Sequence, residues 1–328
     1  MSSRPRIYIT RKIPAEAVEM LQSHFDVSMW QYEDQAVPRE VLEQEAARAD
    51  GLLTMLSDRV DDALLEKAPN LKVIANLAVG YDNIAVASCT RRGILVTNTP
   101  DVLTETTADL AWALLMAAAR RIVEADRLVR EGRWKSWAPM FMTGQDVYGA
   151  TIGIVGMGAI GTAIARRARG FNMKILYHNR HRREEAERTL GAEYRDLDSL
   201  LRESDFVVTM TPLTPQTRGL IGERELSLMK PSAILINPGR GGVVDEDALY
   251  RALKEGRLWA AGLDVFAQEP VPTNHPLLTL PNVVVAPHIG SASIPTRTAM
   301  ARLCAENLIA ALTGGNPPTP VNPEVLKV

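Results

Sequence analysis

Short apolar runs alternate with amphipathic stretches along the first hundred residues. RIYIT, DVSMW, GLLTML, KVIANL and ILVTN are rich in β-branched or apolar residues and read as strands. Helical patterns lie between several of them, among them PAEAVEMLQSHF, with Pro14 at a first-turn position. Such alternation predicts a parallel sheet covered on both faces by helices. TNTPDVLTETTADLAWALLMAAARR then changes the pattern. Its Thr/Pro loop runs into a helix of about four turns, a crossing into a second unit. A second series follows, with strands at TIGIVG, MKILYH, DFVVTM, AILIN, AAGLDVF and NVVVAPH. Helices between them are IGTAIARRARGF, LDSLLRES, GERELSLMK and DEDALYRALKEG. Six strands joined by five crossovers predict a doubly wound fold. A further helix, 295–312, and a Pro/Gly-rich end, GGNPPTPVNP, complete the chain, which has no fixed short repeat.

Length supports the division, since 328 residues is about twice a usual domain. Apolar residues make up 46% and charged residues 23%, an ordinary globular balance. A net charge of −2 argues against a protein-wide role on nucleic acid or anionic membrane, so any basic site must be local. Cys89 and Cys304 form no CxxC or zinc spacing and read as isolated reduced thiols. The N-terminus lacks an apolar signal region, and the longest apolar run, 110–119, is too short to span a bilayer. A soluble cytoplasmic protein is expected.

The most specific local signal is TIGIVGMGAIG, a strand, a glycine turn and a helix start. Gly156 allows the tight turn, Gly158 lets the backbone approach a pyrophosphate, and Gly161 lets helix and strand pack closely. The helix N–H groups would face the phosphates. About twenty residues later a dinucleotide fold usually carries an acid for the adenine ribose 2′-hydroxyl. Here the slot is neutral Asn179, followed by Arg180, His181, Arg182 and Arg183. An acid would repel a 2′-phosphate and a guanidinium would pair with it, so NADP(H) is favoured over NAD(H). Arg180 is the residue expected to select. Arg182 and Arg183 read equally well as solvated neighbours of Glu184 and Glu185. His178 and His181 lack the further ligands a metal site needs, so no metal is expected.

Three later stretches, NPGRGGVVDE, GLDVFAQEP and APHIGSAS, each set a polar residue just past an apolar strand. They offer Arg240, Glu269 and His288 at strand carboxyl ends, which face the ligand crevice in open α/β sheets. A guanidinium can grip a carboxylate and polarise a neighbouring carbonyl. An imidazolium can protonate that carbonyl as hydride arrives, with a carboxylate holding the proton on the ring.

Together these segments resemble the D-isomer-specific 2-hydroxyacid dehydrogenases, and within them the glyoxylate/hydroxypyruvate reductases. NLAVGYDNI, TNTPDVLTETTADL, GIVGMGAIG, the NRHRR cluster, TPLTPQTRGLI, INPGRGGVVDE, GLDVFAQEP and PHIGS carry the resemblance, in the family's order. It implies two doubly wound parallel-sheet domains: a Rossmann cofactor domain, 99–289, inserted in a flavodoxin-like substrate domain, 1–98 plus 290–328. The implied catalytic cleft lies between them. His288 would be the acid/base, Glu269 its partner and Arg240 the anchor for carboxylate and carbonyl. The N–H groups of Val79 and Gly80 would bind the substrate carboxylate. Met157, Gly158, Ala159 and Ile160 would face the pyrophosphate, and Asn179, Arg180 and His181 the ribose phosphate. Pro238, Gly239 and Asp264 would line the nicotinamide, with Gly290 nearby.

SWAPMF resembles the family's dimer arm, so a homodimer is expected. Trp137 would either reach the neighbouring subunit's pocket or serve only as an aromatic of the dimer core. Pocket shape would rest on residues such as Leu56. Pro238 departs from the family's usual residues before the arginine. The resemblance implies NADPH-dependent reduction of glyoxylate to glycolate and hydroxypyruvate to D-glycerate. Larger 2-keto acids such as 2-ketogluconate, or phosphite, are the enzymatic alternatives. A dinucleotide-sensing, corepressor-like binding module is the non-enzymatic one.

Overall fold

The computed structural model of the chain describes residues 4–327. It divides into two compact units. One runs up to Leu103 and resumes at Ser291; the other is Thr104–Gly290. The resemblance implies boundaries at 98/99 and 289/290; in the structure the first division falls at the start of a helix, beyond the Thr/Pro loop.

The first unit alternates β1 (Arg6–Ile9), α1 (Ala15–Gln22), β2 (Asp26–Met29), α2 (Arg39–Ala46), β3 (Gly51–Thr54), α3 (Asp62–Glu66), β4 (Val73–Asn76), α4 (Val86–Arg91) and β5 (Leu95–Thr97). Its five parallel strands stand in the order β2-β1-β3-β4-β5, the flavodoxin-like order. Pro14 and Pro38 stand at the N-cap positions of α1 and α2, where a missing N–H costs nothing. Asp61 caps α3 by accepting the Leu64 N–H at 3.1 Å. β1, β3 and β4 are almost wholly buried, as strands covered on both faces must be. Leu42, Leu52, Leu64, Ile74 and Val96 form the core of one face, each contributing roughly 1.5–3 kcal/mol by leaving water.

The second unit begins with α5 (Thr104–Ala119) and α6 (Ile122–Arg130). It continues through β6 (Thr151–Val155), α7 (Ala159–Gly170), β7 (Lys174–His178), α8 (Glu184–Leu190), β8 (Glu193–Tyr194), α9 (Leu197–Glu203), β9 (Phe206–Thr209), α10 (Glu223–Leu228), β10 (Ile234–Asn237), α11 (Glu246–Lys254), β11 (Ala260–Leu263) and β12 (Val283–Val285). The chain then returns to the first unit with α12 (Ile294–Thr313). Asn322 ties the tail to that unit: its Oδ1 accepts the Val96 N–H at 2.7 Å and its amide donates to the Ile94 carbonyl.

Among the described residues the larger sheet has seven parallel strands, not six, in the order β12-β11-β10-β9-β6-β7-β8. The additional strand, β8, is a two-residue edge, too short to leave a periodic pattern. Strand order reverses between β6 and β9, where doubly wound sheets open a ligand crevice at the strands' carboxyl ends. Two apolar clusters cover this sheet. One contains Trp112, Leu115, Ile164 and Phe206, the other Leu200, Ile221, Leu235 and Leu249. Among the described residues no helix is long and apolar enough to cross a membrane.

Candidate active site

The glycine turn follows β6 at the reversal point. Gly156 has φ +110°, and a methyl on it would lie 2.6 Å from the Met210 carbonyl group just past β9. Only glycine satisfies both demands. Gly158 is the opposite case, because a methyl there would meet nothing within 4 Å. α7 has no side-chain cap, and the Gly158, Ala159 and Ile160 N–H groups have no acceptor among the described residues. Helix N–H groups without an internal acceptor, beside a glycine with open space around it, suit a pyrophosphate, so the residues fit a dinucleotide. The Met157 side chain lies in the core, and its N–H donates to Asn179 Oδ1 at 2.7 Å. Asn179 therefore braces the turn as well as leaving the slot uncharged.

The basic cluster beyond β7 separates into two kinds of residue. Arg182 is committed to the protein, with Nε and Nη2 donating to the two Glu187 oxygens at 3.0 and 2.8 Å. Its partner is Glu187, in the first turn of α8, rather than Glu184 or Glu185. The Arg183 N–H donates to the Tyr177 hydroxyl at 2.7 Å. The exposed side chains of Arg180, His181 and Arg183 have no hydrogen bond or ion pair among the described residues. His178 is held apart, its Nδ1 3.0 Å from the Arg195 carbonyl.

Adjacent strands carry the acid-base set to the same edge of the sheet. Arg240 follows β10, Glu269 follows β11 and His288 follows β12. His288 Nδ1 lies 2.6 Å from Glu269 Oε2, while the Phe266 N–H donates to Glu269 Oε1 at 3.0 Å. Burial would push the Glu269 carboxyl up. The hydrogen bond to His288, that ring's charge, the Phe266 amide and the Arg240 charge together outweigh it, holding Glu269 below the usual carboxylate range. Arg240 thus belongs electrostatically to the same group. The Arg240 carbonyl accepts from the Asn237 amide at 2.9 Å, and its guanidinium donates to the Gly239 carbonyl at 3.0 Å. Pro238 beside it is buried.

Asp264 organises this edge from beneath. It is fully buried, and its two oxygens accept the Ile289 and Gly290 N–H groups, each at 2.8 Å. Its carbonyl accepts the His288 N–H at 2.8 Å, and His288 has φ +55°, a strained conformation for a residue with a side chain. Burial pushes the Asp264 carboxyl above the ordinary range, against those two amides. The resemblance implies for Asp264 only a place lining the nicotinamide; its clamp on a turn 25 residues later leaves no local signal.

In the first unit, Leu56, Val79 and Gly80 follow the neighbouring strands β3 and β4. The Val79 and Gly80 carbonyls accept from Asn98 and Asn76 at 2.8 and 2.9 Å, while their N–H groups have no acceptor among the described residues. Trp137 stands elsewhere, 79% exposed on the segment after α6.

Known proteins decide what this constellation belongs to. Residues 112–290 match the sequence model of the D-isomer specific 2-hydroxyacid dehydrogenase NAD binding domain. The chain is 56% identical to the glyoxylate reductase of Thermococcus kodakarensis, covering 99% of this chain and 98% of that one. It belongs to the D-isomer-specific 2-hydroxyacid dehydrogenase family. A solved structure from Thermus thermophilus superposes with a TM-score of 0.90 at 44% identity, covering 96% of this chain and 99% of that one. An NADPH-dependent glyoxylate/hydroxypyruvate reductase from Sinorhizobium meliloti, solved with NADP and malonate, superposes at 0.83. It is 38% identical, covering 97% of each chain.

Proposed function

We propose that this family member reduces glyoxylate to glycolate and hydroxypyruvate to D-glycerate, with NADPH preferred to NADH. The observation that carries the reading is the 2.6 Å His288–Glu269 pair with the Arg240 charge beside it. When bound, the reduced nicotinamide supplies a hydride to the carbonyl carbon. His288 gives its proton to the carbonyl oxygen, so hydride and proton together turn the carbonyl into an alcohol. Glu269, held below the usual carboxylate range, is ionised at neutral pH and orients the ring through Nδ1. Arg240 grips the substrate carboxylate and polarises the carbonyl, and the Val79 and Gly80 N–H groups are donors for a carboxylate. Gly158, Ala159 and Ile160 receive the pyrophosphate, with Pro238, Gly239, Asp264 and Gly290 around the nicotinamide. Arg180 takes the 2′-phosphate, supported by the neutral Asn179 and by the absence of an internal partner for Arg180 among the described residues. Relatives named glyoxylate reductases support the substrate, and the NADP complex of the Sinorhizobium meliloti relative supports the cofactor.

We also infer a cytoplasmic homodimer that joins through the exposed arm after α6, including Trp137. A panel of glyoxylate, hydroxypyruvate and 2-ketogluconate, with phosphite in the oxidative direction, tests the activity with both cofactors. Highest kcat/KM on glyoxylate or hydroxypyruvate with NADPH is the expected result. A higher kcat/KM with NADH, or on 2-ketogluconate or phosphite, would overturn it.

A further inference from the structure

The loop from β11 to Glu269 is anchored by a second carboxylate that the acid-base set does not include. Glu246, at the start of α11, accepts the Ala267 N–H on Oε1 at 2.5 Å. Its Oε2 lies 3.1 Å from His275 Nε2, and both side chains are largely buried. His275 Nδ1 accepts the Leu277 N–H, so Nε2 carries the proton and donates to Glu246. One carboxylate therefore holds the loop on both sides of Glu269, two residues before it and six residues after. The same loop is pressed onto the turn that bears Arg240. A methyl on Gly241 would lie 1.9 Å from the Phe266 carbonyl carbon, so the two segments sit in backbone contact.

We propose that Glu246 is a positioning residue for the reaction, fixing the loop so that Glu269 meets His288 and stays in register with Arg240. The proposal rests on the acid-base reading of His288 and Glu269. Charged groups facing Glu269 are His288 beyond β12, Arg240 beyond β10 and Asp264 on its own strand end. If the loop slackens, the bond to His288 and the Arg240 charge weaken while burial still favours the neutral acid. Glu269 then takes up a proton at higher pH.

The test is the pH profile of kcat/KM for glyoxylate with NADPH in Glu246→Ala and the isosteric Glu246→Gln. In Glu246→Ala the acid limb is expected to move up by about one pH unit and kcat to fall about tenfold, with KM for NADPH within about twofold. Glu246→Gln, able to accept only one of the two bonds, should fall between it and the parent. Should the alanine variant fail to fold, the Gln variant alone decides on the same limb. An acid limb and kcat unchanged from the parent would overturn the role of Glu246. His288→Gln, measured alongside, separates the two claims. Full turnover in it overturns the acid-base reading, whereas an inactive His288→Gln beside an unshifted Glu246→Gln overturns this inference alone.

Discussion

Arg180 and Arg182 stand two positions apart in one basic cluster and face different demands. Arg182 is held bidentately by Glu187 and lies 5.8 Å from the Tyr194 ring centroid, which fixes it against its own unit. Arg180 has no such hold among the described residues. Arg180→Ala should raise KM for NADPH about tenfold or more while leaving NADH nearly unchanged, as loss of a bidentate phosphate contact would. Arg182→Ala should change neither by more than about twofold, and equal losses in both variants would refute the distinction. The sequence supplied the cluster and the missing acid. It could not rank the arginines, because the ranking depends on which one the fold turns toward Glu187.

Asp58 is a second residue-scale case. It is buried, and the Thr10 hydroxyl and the Met55 N–H both reach its Oδ2. Burial pushes its carboxyl above the ordinary range, against those two bonds. An Asp58→Asn amide oxygen keeps both contacts without a buried charge. Because the folded value is raised, the parent gains stability relative to the variant as pH falls through it, completing the gain below the unfolded value of about 3.9. Denaturant melts should show the variant at least as stable at neutral pH and its advantage shrinking toward acid. A parent that loses ground to the variant on acidification would contradict the assignment.

At the scale of elements, the glycine turn separates two requirements that share one motif. Gly156→Ala forces a methyl into the Met210 backbone at φ +110°, so it should lower stability by several degrees of Tm or prevent folding. Gly158→Ala meets nothing and should melt like the parent, yet raise KM for the dinucleotide about tenfold or more by intruding on the pyrophosphate. Thermal melts and steady-state kinetics on the pair check both halves. If Gly158→Ala binds the dinucleotide normally, the turn is not its phosphate site. Buried parallel strands were legible because each is a continuous apolar run between polar breaks. β8 was not, since two residues carry no period. α8 follows the basic cluster with acids in its first turn, and its few apolar positions hide the helical spacing. Contacts such as Asp264 to Gly290 or Glu246 to Ala267 span more than twenty residues, and no local pattern encodes them.

Across the whole molecule, the second unit carries an apolar surface that its own core does not use. α6 has no buried residue, and Ile122, Val129, Trp134, Trp137, Met140, Phe141 and Tyr148 are all exposed along it and the segment that follows. Concentrated exposed apolar side chains of this kind mark an interaction surface. Light scattering should give twice the 36.0 kDa chain mass, and a Met140→Asp/Phe141→Asp double variant should fall toward the single mass. A monomer in the parent would remove the arm's proposed role. The chemistry itself is tested most directly by single-turnover decay of reduced-nicotinamide absorbance when enzyme-bound NADPH is mixed with glyoxylate. His288→Gln is expected to bind NADPH as the parent does while its decay slows by about a hundredfold or more. Decay at the parent's rate would contradict the account.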